Sequence, residues 1–248
     1  MTQAIERPGA DAPLVNGTQP KNRPWPVEFA SSAVGKKWIM AISGLALIGF
    51  VLAHAFGNLK LYFGQEDFDH YAESLRTLLY PVIPRTWTLW GMRIGLIAMF
   101  VAHIGSAVSL TRMNQRARPI KYHTPRHYIA ANFASRTMRW TGIIVALYVL
   151  FHLADLTWGF ANPDFVRGDA YANLVASFER VPVAILYSIA NVALGIHLFH
   201  GGWSMLQSMG INSPRYNGAR RAFAAGLATV ITLVNVSFPL SVLFGIVD

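Results

Sequence analysis

Residues 182–207 read PVAILYSIANVALGIHLFHGGWSMLQ, an apolar stretch longer than the ~20 residues a helix needs to cross a bilayer, with His197 and His200 inside it. An imidazole in hydrocarbon is costly unless it is paired or ligates something, so an ionisable side chain at such depth marks a functional site. The feature recurs upstream. His54, His103 and His152 each lie in a separate apolar stretch, at intervals of 49 and 49 residues and then 45 to His197 or 48 to His200. That spacing is close to one membrane-crossing helix plus one loop, the pattern of a bundle built to hold metal.

Composition agrees. Of 248 residues 53% are hydrophobic and 13% charged, and the mean hydropathy of +0.35 is too high for an ordinary soluble domain. The expected fold is all-α: an integral membrane bundle over residues 34–248, with helices near 38–58, 89–110, 138–160, 182–207 and 223–247. A β-barrel is excluded, because its strands are about half as long and alternate in polarity. Residues 1–33 are polar and carry Pro8, Pro13, Pro20, Pro24 and Pro26. Without a basic segment followed by an apolar core they do not read as a cleavable signal, and a flexible or partner-bound tail is expected.

Basic residues set the orientation, because positive loops stay in the cytoplasm. With the amino terminus inside, fifteen of the 21 Lys and Arg fall on the inner side, among them Arg7, Lys21, Arg23, Lys36, Lys37, Arg112 and Arg215, and six fall outside. The amino terminus is therefore expected in the cytoplasm and the carboxyl terminus outside, in the cell inner (plasma) membrane. The net charge of +9 then acts as a topology signal and a contact for anionic lipid, and nucleic acid is not an expected partner. There is no cysteine, so any iron held by soft or borderline ligands of this chain depends on histidine.

At 1.5 Å per residue, His54 lies about 25 Å and His152 about 20 Å above the inner basic residues, whereas His103 lies about 14 Å and His200 about 15 Å above, with His197 one turn higher. The ladder thus separates into an outer pair, His54 with His152, and an inner pair, His103 with His197 or His200. Two imidazoles from facing helices are what a six-coordinate b-type haem requires. Small residues beside the ladder, such as Gly44, Gly95, Gly142 and Gly201, leave room for a flat macrocycle.

Along the fourth helix the residues become specific: Ile196-His197-Leu198-Phe199-His200-Gly201-Gly202-Trp203-Ser204, then Ser208, Gly210-Ile211 and Pro214-Arg215. This resembles the five-helix cytochrome b membrane anchor of succinate:quinone and fumarate:quinone oxidoreductases, respiratory complex II. The likeness covers all five helices. It implies that His54 and His152 ligate a distal haem, and His103 and His197 a proximal one; His200 departs from the family pattern and leaves the inner ligand open. It further implies a flavoprotein and an iron–sulfur subunit as partners on the cytoplasmic side, succinate oxidised on another chain, and reduction of a quinone, menaquinone or ubiquinone. A higher oligomer of the complex stays open. Because family members differ in haem content, an iron–sulfur centre with histidines from this chain and cysteines from a partner stays open beside two b-type haems.

A quinone needs an apolar slot with donors for its two carbonyls. The inner ends of helices one and four supply Ser31, Ser32, Lys36, Lys37, Trp38 and Ser43, with Trp203, Ser204 and Gln207. The stretch Lys121-Tyr122-His123-Thr124-Pro125-Arg126-His127 is unassigned. Near the outer face Asp155 follows His152 by one turn and Arg93 stands at a similar height, expected to pair with each other, contact a haem propionate or handle protons. Residues 65–79 and 169–178 are expected to form short surface helices. The alternative is a diheme cytochrome b anchor of another oxidoreductase, of formate dehydrogenase, nitrate reductase or hydrogenase type. A metal-free transporter is the third reading, and the sequence lacks convincing signs of the broken helix halves it calls for.

Overall fold

The computed structural model describes residues 24–117, 133–211 and 213–248. Most of the expected tail and the whole Lys121–His127 stretch lie outside the described residues. Among the described residues are eight α-helices and no strand: α1 Trp25–Ser31, α2 Ala33–Asn58, α3 Gln65–Arg76, α4 Trp87–Arg116, α5 Phe133–Leu156, α6 Ala170–Glu179, α7 Val181–Ser208 and α8 Asn217–Leu243. Five of them, α2, α4, α5, α7 and α8, are long and apolar enough to cross a membrane.

The ends of these helices follow local chemistry. Pro24 and Pro26 suit a helix start, where no amide hydrogen is needed, so the end of the expected tail is helical as α1. Ser32 then caps α2, its hydroxyl accepting from the Gly35 amide at 2.9 Å, which starts that helix at Ala33 rather than at 38. At the other side α5 stops at Leu156, short of 160, and Gly159 takes the left-handed φ of 82° in the turn that follows.

α2 packs along α4, α5 along α7, and α7 along both α8 and α2. The bundle has a basic end, where α2 begins, α4 ends and α7 turns into α8, and a capped end covered by α3, α6 and the carboxyl terminus. The α7–α8 contact depends on the missing side chain at Gly195, where a Cβ would lie 2.0 Å from Thr232 Oγ1. Gly195→Val is therefore expected to destabilise the bundle by about 1–3 kcal/mol through overpacking, and Thr232→Ala in the same chain to recover part of the loss. Thermal unfolding in detergent measures both.

The capped end corrects one expectation. α6 is no surface helix: Tyr171, Leu174, Val175 and Phe178 are buried against Leu61, Phe68, Tyr187, Phe238 and Val242. Their spacing of three, one and three residues puts them on one helical face, which turns inward. α3 ties α6 down, because Asp69 Oδ1 accepts from the amides of Ala170 at 3.1 Å and Tyr171 at 3.0 Å, two donors otherwise orphaned at a helix start. On the exposed side of α3, hydrogen bonds from Arg76 and Arg85 hold the Glu73 carboxyl below the usual carboxylate range. Such an exposed pair adds little stability.

Candidate functional site

The buried histidines meet in two layers. Towards the basic end His103 of α4 faces His197 of α7, with ring centres 6.3 Å apart and planes at 70°. Towards the capped end His54 of α2 faces His152 of α5 at 5.9 Å and 87°. Two imidazoles bound from opposite sides to one metal ion, each through a nitrogen about 2 Å from it, have ring centres roughly 6 Å apart. Both pairs meet that spacing. His200 stands elsewhere, against its neighbour Phe199 at 5.0 Å, with Nδ1 buried and unpartnered.

Hydrogen bonds fix how the inner rings are presented. His103 Nδ1 donates to the Met40 carbonyl at 3.2 Å, with Ser43 Oγ at 3.4 Å. His197 Nδ1 lies 3.4 Å from Thr141 Oγ1, whose own hydrogen is directed at the Thr137 and Met138 carbonyls, each at 3.1 Å. A carbonyl can only accept, and so can a hydroxyl oxygen whose hydrogen is already given to a carbonyl, so Nδ1 holds the proton in each ring and the Nε2 lone pair stays free to ligate. A Cβ at Gly44 would come within 3.2 Å of His103 Cε1, and one at Gly142 within 3.4 Å of His197 Cε1. Ser43-Gly44 precedes His54 by the same interval as Thr141-Gly142 precedes His152, so α2 and α5 repeat one device: each carries an outer histidine and supports an inner one from the next spanning helix.

The outer layer borders a buried ion pair. Asp155, with no exposed surface, accepts from Arg180 Nη2 at 2.5 Å, Tyr187 Oη at 2.9 Å and Ser177 Oγ. Tyr187 Oη is also 3.4 Å from His152 Nδ1. The expected pairing of Asp155 with Arg93 is not what forms. Arg93 lies over the Trp90 ring at 5.1 Å, while Arg180, at the corner between α6 and α7, reaches Asp155 beside Ser177 of the same corner.

Among the described residues no group of three or more His, Cys, Asp or Glu could hold a bare metal ion. Two facing nitrogens are instead the number a macrocycle leaves open on its metal, and the chemistry of the donor set fits haem. Residues 113–236, from the end of α4 through most of α8, match the family model of the succinate dehydrogenase/fumarate reductase transmembrane subunit. The chain belongs to that family. No curated protein and no solved structure matches it.

As a succinate dehydrogenase/fumarate reductase transmembrane subunit, the chain is part of an oxidoreductase complex and works in a membrane beside other subunits. The structure distributes the expected quinone contacts of this subunit unevenly. Ser31, Ser32 and Lys36 spend their polar atoms at the α1–α2 corner, where Lys36 Nζ bonds the Ser31 carbonyl at 2.8 Å. Ser43 is buried and donates to the Ile39 carbonyl at 2.7 Å. Lys37, Trp38 and Gln207 are exposed. Ser204 donates to Gly201 at 3.2 Å, whereas the Trp203 indole nitrogen is buried without a partner. On α7 two buried ring nitrogens, Trp203 Nε1 and His200 Nδ1, are without a partner.

Sequence reasoning missed Met40, Met138, Thr141, Ser177, Arg180 and Tyr187. The recurrence of a Ser/Thr-Gly pair before each outer histidine was the available signal for Thr141. Arg180, Ser177 and Tyr187 carry none, since they reach Asp155 only through the packing of α6.

Proposed function

We propose that this subunit is the membrane anchor and quinone-reducing subunit of a succinate:quinone oxidoreductase. Succinate is oxidised on a partner flavoprotein, and electrons arrive through a partner iron–sulfur subunit docked at the basic end, which faces the cytoplasm across the plasma membrane. The observation carrying this reading is the pair of imidazole layers, one nearer the basic end and one nearer the capped end, in a chain of this family. The family match favours it over an anchor of formate dehydrogenase, nitrate reductase or hydrogenase type.

Two b-type haems suit the donors better than an iron–sulfur centre, which would need cysteines from a partner chain. His103 and His197 would hold the inner haem, His54 and His152 the outer. When bound, each haem supplies one-electron transfer. The chain's own residues do the rest. The Met40 carbonyl and the Thr141 hydroxyl oxygen keep Nδ1 protonated, and Gly44 and Gly142 leave the rings room. Trp203 Nε1 and His200 Nδ1 offer donors to the two carbonyls of a menaquinone or ubiquinone head group at the basic end, with Ser204 and Gln207 beside them on α7.

Purification of the complex in detergent, with a dithionite-reduced minus oxidised spectrum, tests the reading. Co-purification of a flavoprotein and an iron–sulfur subunit with a b-type α-band is expected. Absence of those partners would overturn the anchor role, and absence of the band the haems.

A further inference from the structure

The two layers are held by different means. The inner histidines rest on the Met40 carbonyl and the Thr141 hydroxyl, whereas His152 faces a phenol whose own hydrogen is committed to a carboxylate. Asp155 is ion-paired with Arg180, and an ionised carboxylate accepts and never donates. Tyr187 must therefore donate its single hydroxyl hydrogen to Asp155, at 2.9 Å. Towards His152 Nδ1, at 3.4 Å, its oxygen can only accept. Nδ1 then carries the proton, and the Nε2 lone pair remains for a ligand on the His54 side. Donation converges on Asp155 from both sides, directly from Arg180 and from His152 through Tyr187, and packing holds this arrangement: Tyr187 is buried with its ring 4.9 Å from Phe178 and 5.3 Å from Tyr148.

We propose that Tyr187 and Asp155 are the positioning residues of the outer layer, fixing the tautomer of His152 and lending it the charge of the buried carboxylate. This rests on the proposed reading of His54 and His152 as axial ligands of a b-type haem. A hydrogen bond from Nδ1 to an oxygen that itself donates to a carboxylate makes the imidazole a stronger donor. A stronger donor favours the oxidised metal, so the outer centre should sit at a lower potential than its two histidines alone would set. Among the described residues no carboxylate bonds the inner pair's partners Met40, Ser43 or Thr141.

The test is Tyr187→Phe in the intact complex, with Ser177→Ala as comparison. Phenylalanine keeps the ring packing and leaves Asp155 its Arg180 and Ser177 donors; Ser177→Ala removes a donor to the carboxylate without touching the line to His152. Redox titration followed by optical and low-spin resonance spectra reads each centre, the inner component being the one lost in His103→Ala. Tyr187→Phe is expected to raise the outer midpoint so that its oxidised-to-reduced ratio at fixed potential falls about tenfold, which is 59 mV for one electron. The inner midpoint should hold, the unfolding temperature should fall only by the small step that one lost hydrogen bond costs, and Ser177→Ala should shift the outer midpoint far less. Loss of the outer centre alone is the stronger form of the same result. An unchanged midpoint and spectrum would overturn the proposal, as would an equal shift in Ser177→Ala or the loss of both centres with a lower unfolding temperature. A wild-type complex without b-type bands removes the haem reading itself, a different failure that needs no variant to detect.

Discussion

His103→Ala and His197→Ala are each expected to cut electron transfer from succinate to quinone by about 100-fold or more, since losses one shell further out around a metal ligand already cost 10–100-fold. Dye-linked succinate oxidation should be spared, because the proposed function places that step on the partner flavoprotein. The reason is geometric. These two rings face one another at 6.3 Å, with Nδ1 of His103 on the Met40 carbonyl and Nδ1 of His197 beside the Thr141 hydroxyl, and removing either leaves the inner layer with a single imidazole. His200 is the control, one turn away against Phe199 with Nδ1 unpartnered. His200→Ala should keep both b-type components in the reduced spectrum and raise the quinone KM by up to about tenfold, the worth of one hydrogen bond. If His200→Ala erases the inner component while His197→Ala retains it, the inner pairing is His103 with His200 and the assignment of His197 as the inner ligand is wrong.

Choosing between His197 and His200 was beyond the sequence for a plain reason. One helical turn is about 5.4 Å, less than the error in placing a helix against a membrane surface from its basic residues, so both histidines fitted the height of His103. Ring direction decides, and direction depends on how α7 is turned against α5 and α8. The contact of a Gly142 Cβ position with His197 Cε1, and of Gly195 with Thr232, shows how that rotation is set. The five spanning helices were legible because length and apolar density alone are demanding in a bilayer. The capped end was not. α6 hides an apolar face among polar residues, and its burial brings Arg180 to Asp155. Arg93 was the better guess by height alone, because a charge entering a helix at the right level looks like a partner until the corner that holds Arg180 is placed.

That corner carries the larger expected loss of stability. Asp155→Ala should destabilise the subunit by about 3–5 kcal/mol, the usual result of removing one partner from a buried ion pair, because it strands three donors at once: the Arg180 guanidinium, the Ser177 hydroxyl and the Tyr187 phenol. The Arg180 side chain keeps 26% of its surface exposed, so water relieves part of its charge and the lower end of that range is the expected one. Tyr187→Phe, which removes a single donor and leaves the ion pair intact, should cost about 1 kcal/mol. The pair itself differs from its breakage. Removing both charges in Asp155→Ala with Arg180→Met eliminates the stranded guanidinium, and the double variant should be more stable than Asp155→Ala alone, since apolar replacement of a buried pair is often nearly neutral. Thermal unfolding of the detergent-solubilised complex gives the order: wild type, Tyr187→Phe, the double variant, Asp155→Ala. A single variant no less stable than the double would mean that the guanidinium finds water freely once Asp155 is gone. The capped end would then be a looser structure than the buried face of α6 implies, and the directed line of hydrogen bonds to His152 would lose the rigid support on which its effect depends.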